Sequence, residues 1–214
     1  MEKEICVKGI ILGGFPYGEY GKRLIILTDR LGKVTVFARS MAKQNSKMIG
    51  IGRIFTSAEF LLSEGKGAYS LHGAKVIDAF EEIAAMPEVS FTAQYVLEVA
   101  DYFAKEGMAE ADAKAMLNLI FVTLAALRNG ELEAPLIRRI FELRMLVQEG
   151  IWYEHPEIVS EDSEVCWNYA VHCPLSHLYD SGAWKTRGTD DFRESVSLIM
   201  AKEVSHHFRS AELL

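Results

Sequence analysis

Cys166, His172, Cys173 and His177 fall within twelve residues, and zinc accepts all four side chains as ligands. Their spacing works against a shared ion. Cys166 and Cys173 are seven apart, so on one helix they share a face but lie about 10 Å apart along it, too far for one tetrahedral metal. His172 projects about 100° away from Cys173 on a helix. Pro174 interrupts any helix before His177, and no CxxC pair occurs in the chain. No metal is expected.

The segment ILGGFPYGEYGKR invites a phosphate-loop reading. Counting back from Gly21-Lys22, the first glycine of that motif falls on Pro16, and the Ser or Thr after the lysine is Arg23. The residues that follow are β-branched rather than helical, so a turn between strands is expected. His206 and His207 point in two directions on a helix. The acidic pairs Asp190-Asp191 and Glu81-Glu82 stand at expected helix starts, where the helix dipole accounts for them. No nucleophile elbow, HExxH helix or kinase signature occurs, and no residue is assigned a catalytic role.

Charge is the more informative chemistry. The 214 residues carry a formal −7. Residues 1–80 hold twelve Lys and Arg against seven Asp and Glu, a balance of +5, whereas residues 81–214 hold eleven against twenty-three, a balance of −12. From Arg30 to Ala58 the charged residues are Arg30, Lys33, Arg39, Lys43, Lys47 and Arg53, with no acid among them. On a strand, Lys33, Thr35, Phe37 and Arg39 share one face while Val34, Val36 and Ala38 face a core. Two cations around one ring suit single-stranded nucleic acid, the cations following the backbone and the ring stacking on a base. Phe37 reads equally as a core residue of a curved barrel. Beyond the strand, Arg39, Lys43 and Lys47 recur every four residues and would align on a helix. The same segment, RSMAKQNSK, also reads as a flexible loop, suited to phosphates or merely solvated.

The elements that must position these residues change type near residue 80. Short β-branched runs, Glu4–Gly13, Lys22–Thr28, Lys33–Arg39, Arg53–Leu62 and Ala68–Phe80, are separated by turn signals at Gly13-Gly14, Pro16-Tyr-Gly18 and Asp29-Arg-Leu-Gly32. Five such strands predict an OB-type barrel. After Phe80 the apolar period lengthens to about 3.6. Helices are predicted from Pro87 to Glu106, from Glu110 to Arg128 and from Pro135 to Gly150. The last has an apolar stripe of Leu136, Ile140, Leu143 and Val147, with Arg138, Arg139 and Arg144 off it. A helix capped by Ser163 and ending near Cys173, and a final one over Thr189–Phe208, complete the reading. The fold class is therefore α+β, with an all-β barrel domain over 1–80 and an α-helical domain over 81–214.

Half of the residues are hydrophobic, as in a folded globular chain. Charges at Glu2, Lys3, Glu4 and Lys8 leave no apolar export signal at the start. The longest uncharged apolar window, Ala115 to Leu127, has thirteen residues, short of the roughly 20 that span a bilayer. Three cysteines without paired spacing fit a reducing compartment. A soluble, cytoplasmic protein without membrane contact is expected.

The order of these features resembles RecO, the bacterial recombination mediator. The resemblance is carried by GIILGGFPYGEYGKRLIILTDRLGKVTVFARSMAK, FTSAEFLLSEGKGAYSL, FELRMLVQEGIWYEHPEI and the terminal HHFRSAELL. It implies an N-terminal OB-fold, a helical domain and no enzymatic turnover or cofactor. It also implies binding of single- and double-stranded DNA, annealing of complementary strands, and action with RecR to help RecA displace SSB, with nucleoid association following. The DNA surface it implies corresponds to Lys22, Arg23, Arg30, Lys33, Arg39, Lys43 and Lys47.

Many relatives carry a four-cysteine zinc ribbon before the final helices. Here HPEIVSEDSEVCWNYAVHCPLSHLYD runs almost directly into them, as if the ribbon were deleted, which leaves Cys166 and Cys173 as helix residues. SSB recognition in the family uses the helical domain, which receives an acidic peptide ending in Phe. Arg128, Arg138 and Arg139 are the cations that could meet its carboxylate, or could pair instead with Glu142 or Glu131. The alternative function is a protein-interaction adaptor on the same scaffold that binds DNA weakly, because the −12 of residues 81–214 repels it.

Overall fold

The computed structural model describes residues 4–39, 51–152, 161–185 and 188–214. Five strands, β1 (Glu4–Tyr17), β2 (Gly21–Thr28), β3 (Gly32–Ala38), β4 (Ser57–Glu64) and β5 (Tyr69–Asp78), close into a barrel in the order β1-β2-β3-β5-β4. Alternation dictates its interior. Val7 and Ile11 of β1, Leu24 and Ile26 of β2, Val34, Val36 and Ala38 of β3, and Ala58, Phe60 and Leu62 of β4 form one buried cluster. The predicted β3 core residues are thus the observed ones.

Two strand boundaries differ from expectation. β4 begins at Ser57, not Arg53, because residues 51–55 turn and Phe55 takes a positive φ of 70°. β1 does not stop at Gly13. It continues through Gly13-Gly14 and Pro16 to Tyr17, paired only with β2 over this stretch, an edge position where proline's missing N–H is tolerated. A bulge between Ile11 and Gly13 makes the extension possible. Ile11 pairs with Ile26 and Gly14 with Leu24, both core-facing, so one extra residue, Leu12, inverts the alternation of everything beyond it.

The chain divides into two compact units. The first comprises residues 1–81 and 100–117. Residues 105–107 join the barrel unit by backbone bonds: Lys33 N–H donates to the Lys105 carbonyl (3.1 Å) and Gly107 N–H to the Leu31 carbonyl (3.4 Å). Gly32 lies under this segment with φ of 68°, and a Cβ there would stand 2.5 Å from the Lys105 carbonyl oxygen and 2.8 Å from Met108. Gly32→Ala is expected to lower stability by roughly 1–3 kcal/mol for the backbone alone. A urea midpoint unchanged from the parent chain would contradict this.

The second unit comprises residues 82–99 and 118–214. The helices along the chain are α1 (Glu81–Ala84), α2 (Pro87–Phe103), α3 (Glu110–Asn129), α4 (Ala134–Gln148), α5 (Glu161–His172), α6 (Ser181–Lys185) and α7 (Asp190–Glu203), with 3-10 turns at Leu175–His177 and Arg209–Leu213. The predicted final helix over Thr189–Phe208 therefore ends at Glu203. Ser163 lies inside α5, fully buried, rather than capping it. α4 buries far more than one stripe: Leu136, Ile137, Ile140, Phe141, Glu142, Leu143, Met145 and Leu146 are all buried, as expected of a central helix. Trp152 stacks on Trp167 at 4.6 Å, and Phe192 meets both Trp167 (5.3 Å) and Trp184 (5.4 Å). Among the described residues, no helix is long and apolar enough to cross a membrane.

Candidate nucleic-acid interface

Directly opposed residues of antiparallel strands share a face, and the register brings three into one row: Phe15 of β1 opposes Arg23 of β2, which opposes Phe37 of β3. The Arg23 guanidinium stands over the Phe15 ring at 4.9 Å, and the Tyr17 ring lies 4.5 Å from Phe37 at an interplanar angle of 49°. Tyr17 is opposed by Gly21 where β1 turns into β2. A Cβ at Gly21 would come within 2.5 Å of the Tyr17 carbonyl oxygen. Phe15, Tyr17 and Tyr20 are 48%, 49% and 45% exposed, and Arg23 and Arg39 are exposed as well. Phe37 is half-buried on this outer face and is not part of the interior cluster.

The other cations named from the sequence lie elsewhere. Lys22 opposes Ala38, on the inward side, and its ammonium donates to the Gly52 carbonyl at 3.0 Å. Lys33 donates to the Asp101 carbonyl at 2.6 Å and pairs with the Asp101 carboxylate at 3.3 Å. Arg30 is exposed in the β2–β3 turn, beside a groove of about 350 Å³ that Lys33, Glu64, Glu106 and Tyr69 also line. Burial, and then the charges of Glu64 and Glu106, raise the Tyr69 phenol above its ordinary value, and with Arg30 and Lys33 beside them the groove carries both signs of charge. Lys43 and Lys47 lie outside the described residues. The structure therefore gathers Arg23, Phe37 and Arg39 at one end of β2 and β3, and sets Arg30 and Lys33 at the other.

Sequence reasoning missed Phe15 and Tyr17. Their i, i+2 spacing was the available signal, but Gly13-Gly14 and Pro16 read as a turn.

In the second unit, Arg138 and Arg139 come together on one carboxylate. Glu142 is fully buried and accepts from Arg138 Nε (2.9 Å), an Arg139 guanidinium nitrogen (2.7 Å) and the Tyr95 hydroxyl (2.6 Å). Burial, followed by the Glu142 charge, drives the Tyr95 phenol far above its ordinary value, and the Arg138 guanidinium lies 4.1 Å from the Tyr95 ring centroid. This cluster lines a cavity of about 200 Å³ with Met200, Val204, His206 and Phe208. Arg128, half-buried in the last turn of α3, is not among the lining residues. Arg144 donates to the carbonyls of Ala170 and Val171 at the end of α5. The terminal segment beside the cavity is held by Glu98, which accepts from the amides of Arg209 and Ser210 (2.9 Å each) and from the Ser210 hydroxyl. Burial alone would raise the Glu98 carboxyl; these donors outweigh it and hold the group below its ordinary value.

Among the described residues no group of three or more His, Cys, Asp or Glu is arranged to hold a metal ion. Cys166 is buried in α5 with its thiol on the Gly188 carbonyl (3.5 Å), and Cys173 follows the helix end, so this donor set does not fit a zinc site.

Residues 1–80 match the family model described as Recombination protein O N terminal. The chain is 27% identical over 157 residues to a DNA repair protein RecO from Caldicellulosiruptor saccharolyticus, covering 73% of this chain and 63% of the relative. It is 33% identical over 143 residues to a DNA repair protein RecO from Dehalococcoides mccartyi, covering 67% and 55%. With one from Alkaliphilus metalliredigens it shares 25% identity over 184 residues, 83% and 74%. The matched regions thus span less than two thirds of the first two relatives' own length.

Proposed function

The chain belongs to the RecO family, and on that premise we propose that it is a DNA-binding mediator of repair and recombination, one that anneals complementary single strands and, with RecR, helps load RecA onto SSB-coated DNA. The observation that carries this reading is the exposed row on β1–β3, where Arg23 and Arg39 accompany aromatic rings next to a stretch without acids. Lys43 and Lys47 extend the same charge along the sequence.

No covalent step is assigned. Cations on the barrel offset repulsion between two phosphate backbones, and holding both strands raises their local concentration. Double-stranded DNA engages the same cations more weakly. The cavity of the second unit supports SSB as a partner: it sets Met200, Val204 and Phe208 beside two guanidiniums that share the one Glu142 carboxylate, leaving a net positive charge suited to an acidic peptide ending in an aromatic residue and a carboxylate.

Fluorescence anisotropy with labelled single-stranded and duplex oligonucleotides across a salt series tests the reading. The logarithm of the binding constant is expected to fall linearly with the logarithm of salt concentration. An absence of binding to either form at low salt, with RecR and SSB still captured, would favour the adaptor reading instead.

A further inference from the structure

We propose that Phe15, Tyr17 and Phe37 form a stacking platform for unpaired bases, and that this platform makes the barrel selective for single strands over duplex. The inference rests on the DNA-binding reading of the barrel and names which form of the ligand the outer face accepts.

The first observation is solvent exposure. Phe15 and Tyr17 each leave about half of their surface to solvent although burying such rings is favourable. Scattered exposed rings need no explanation, whereas a contiguous group beside cations marks a contact surface. The second is construction. The bulge at Leu12 is what turns positions 15 and 17 outward, since an unbroken alternation from Val7 and Ile11 would send them to the interior.

The third observation is spacing. Phe15 and Phe37 are separated by one intervening strand, so they stand about 9–10 Å apart across the sheet. Bases in a duplex follow one another every 3.4 Å or so along each strand, face to face, and present only their edges. A ring can therefore take a base face only where the strand is unpaired and its bases are splayed. Arg23 stands in the row between the two phenyl rings, with Arg39 at the end of β3, so the cations lie where a backbone crossing the platform would run. The charge of the surface fits a polyanion, which favours nucleic acid over an apolar protein helix as the occupant.

The test uses the full chain with Phe15→Ala, Tyr17→Ala, the double variant and Tyr17→Phe. Each ring lost is expected to lower affinity for a single-stranded oligonucleotide by about 5- to 100-fold. The salt slope should stay unchanged, since phosphate contacts remain, duplex affinity should hold within about twofold, and Tyr17→Phe should bind like the parent. An oligonucleotide carrying 2-aminopurine reports stacking directly, and its fluorescence change on binding should shrink in the double variant. Three results overturn the proposal: unchanged single-strand affinity in the double variant, equal losses for single strand and duplex, or intact DNA binding with loss of a captured protein. If the parent chain binds no DNA at all, the reading of the barrel fails first and the platform with it. Thermal melts of the variants should match the parent, since both side chains lie on an exposed edge.

Discussion

Reversing Arg23 and Arg39 to Glu together is expected to lower affinity for a single-stranded oligonucleotide by at least about a hundredfold, because each charged hydrogen bond to a phosphate contributes roughly 1.5–3 kcal/mol. The salt slope falls as well, by about 0.7 for each phosphate no longer neutralised. Both side chains are exposed, so the melting temperature should hardly move. Lys33→Gln is the informative control. Its ammonium is already held by Asp101, and the groove it borders carries Glu64 and Glu106. Removing it should therefore leave DNA affinity within about twofold. Anisotropy titrations over a salt series measure all three quantities. Unchanged affinity and slope in the Arg23 and Arg39 variant would place the contact surface elsewhere, and a large loss in Lys33→Gln would extend it to the far end of β3.

Glu142→Gln has the opposite profile, with a large loss of stability and no loss of DNA binding by the barrel. The carboxylate sits between two guanidiniums whose side chains are 17% and 19% exposed. Removing its charge leaves two desolvated cations facing each other, a change that typically costs about 3–5 kcal/mol when one side of a buried ion pair is deleted. At about 2–4 °C per kcal/mol for a chain of this size, the melting temperature should fall by roughly 6–20 °C. Tyr95→Phe removes only one neutral donor to the same oxygen and should cost about 1 kcal/mol. Thermal unfolding of the two variants separates a charge effect from a hydrogen-bond effect. Equal losses would mean that packing around the ring, and not the ion cluster, dominates.

Periodicity and turn chemistry carried much of this fold. The alternation of Val34, Val36 and Ala38 identified the barrel interior, and the predicted helix bounds at Pro87, Arg128 and Gly150 fall close to the observed ends. Long-range partners were not legible. Lys33 meets Asp101 across 68 residues and Lys22 meets Gly52 across 30, and nothing near either lysine in sequence signals an occupied ammonium. The pairing of Arg138 and Arg139 with Glu142 was among the sequence's alternatives, but the burial of that carboxylate was not legible. Arginines three and four residues before a glutamate look the same whether the helix lies on the surface or in the centre. Phe15 and Tyr17 were hidden because glycine and proline signal a turn by their own conformational rules, and those rules equally permit an edge strand with a bulge.

That bulge also sets which kinds of genetic change the outer face can survive. Which way Phe15 and Tyr17 face depends on how many residues lie between Ile11 and Gly13, not on which residue fills the gap. Many side chains could replace Leu12 and leave the rings outward, whereas losing a single codon there would exchange the two faces of the strand, sending both rings inward and Gly14 and Pro16 out. The surface is thus tolerant of substitution at its pivot and intolerant of any change in length, and descent within such a barrel should be read first by counting residues between the paired positions.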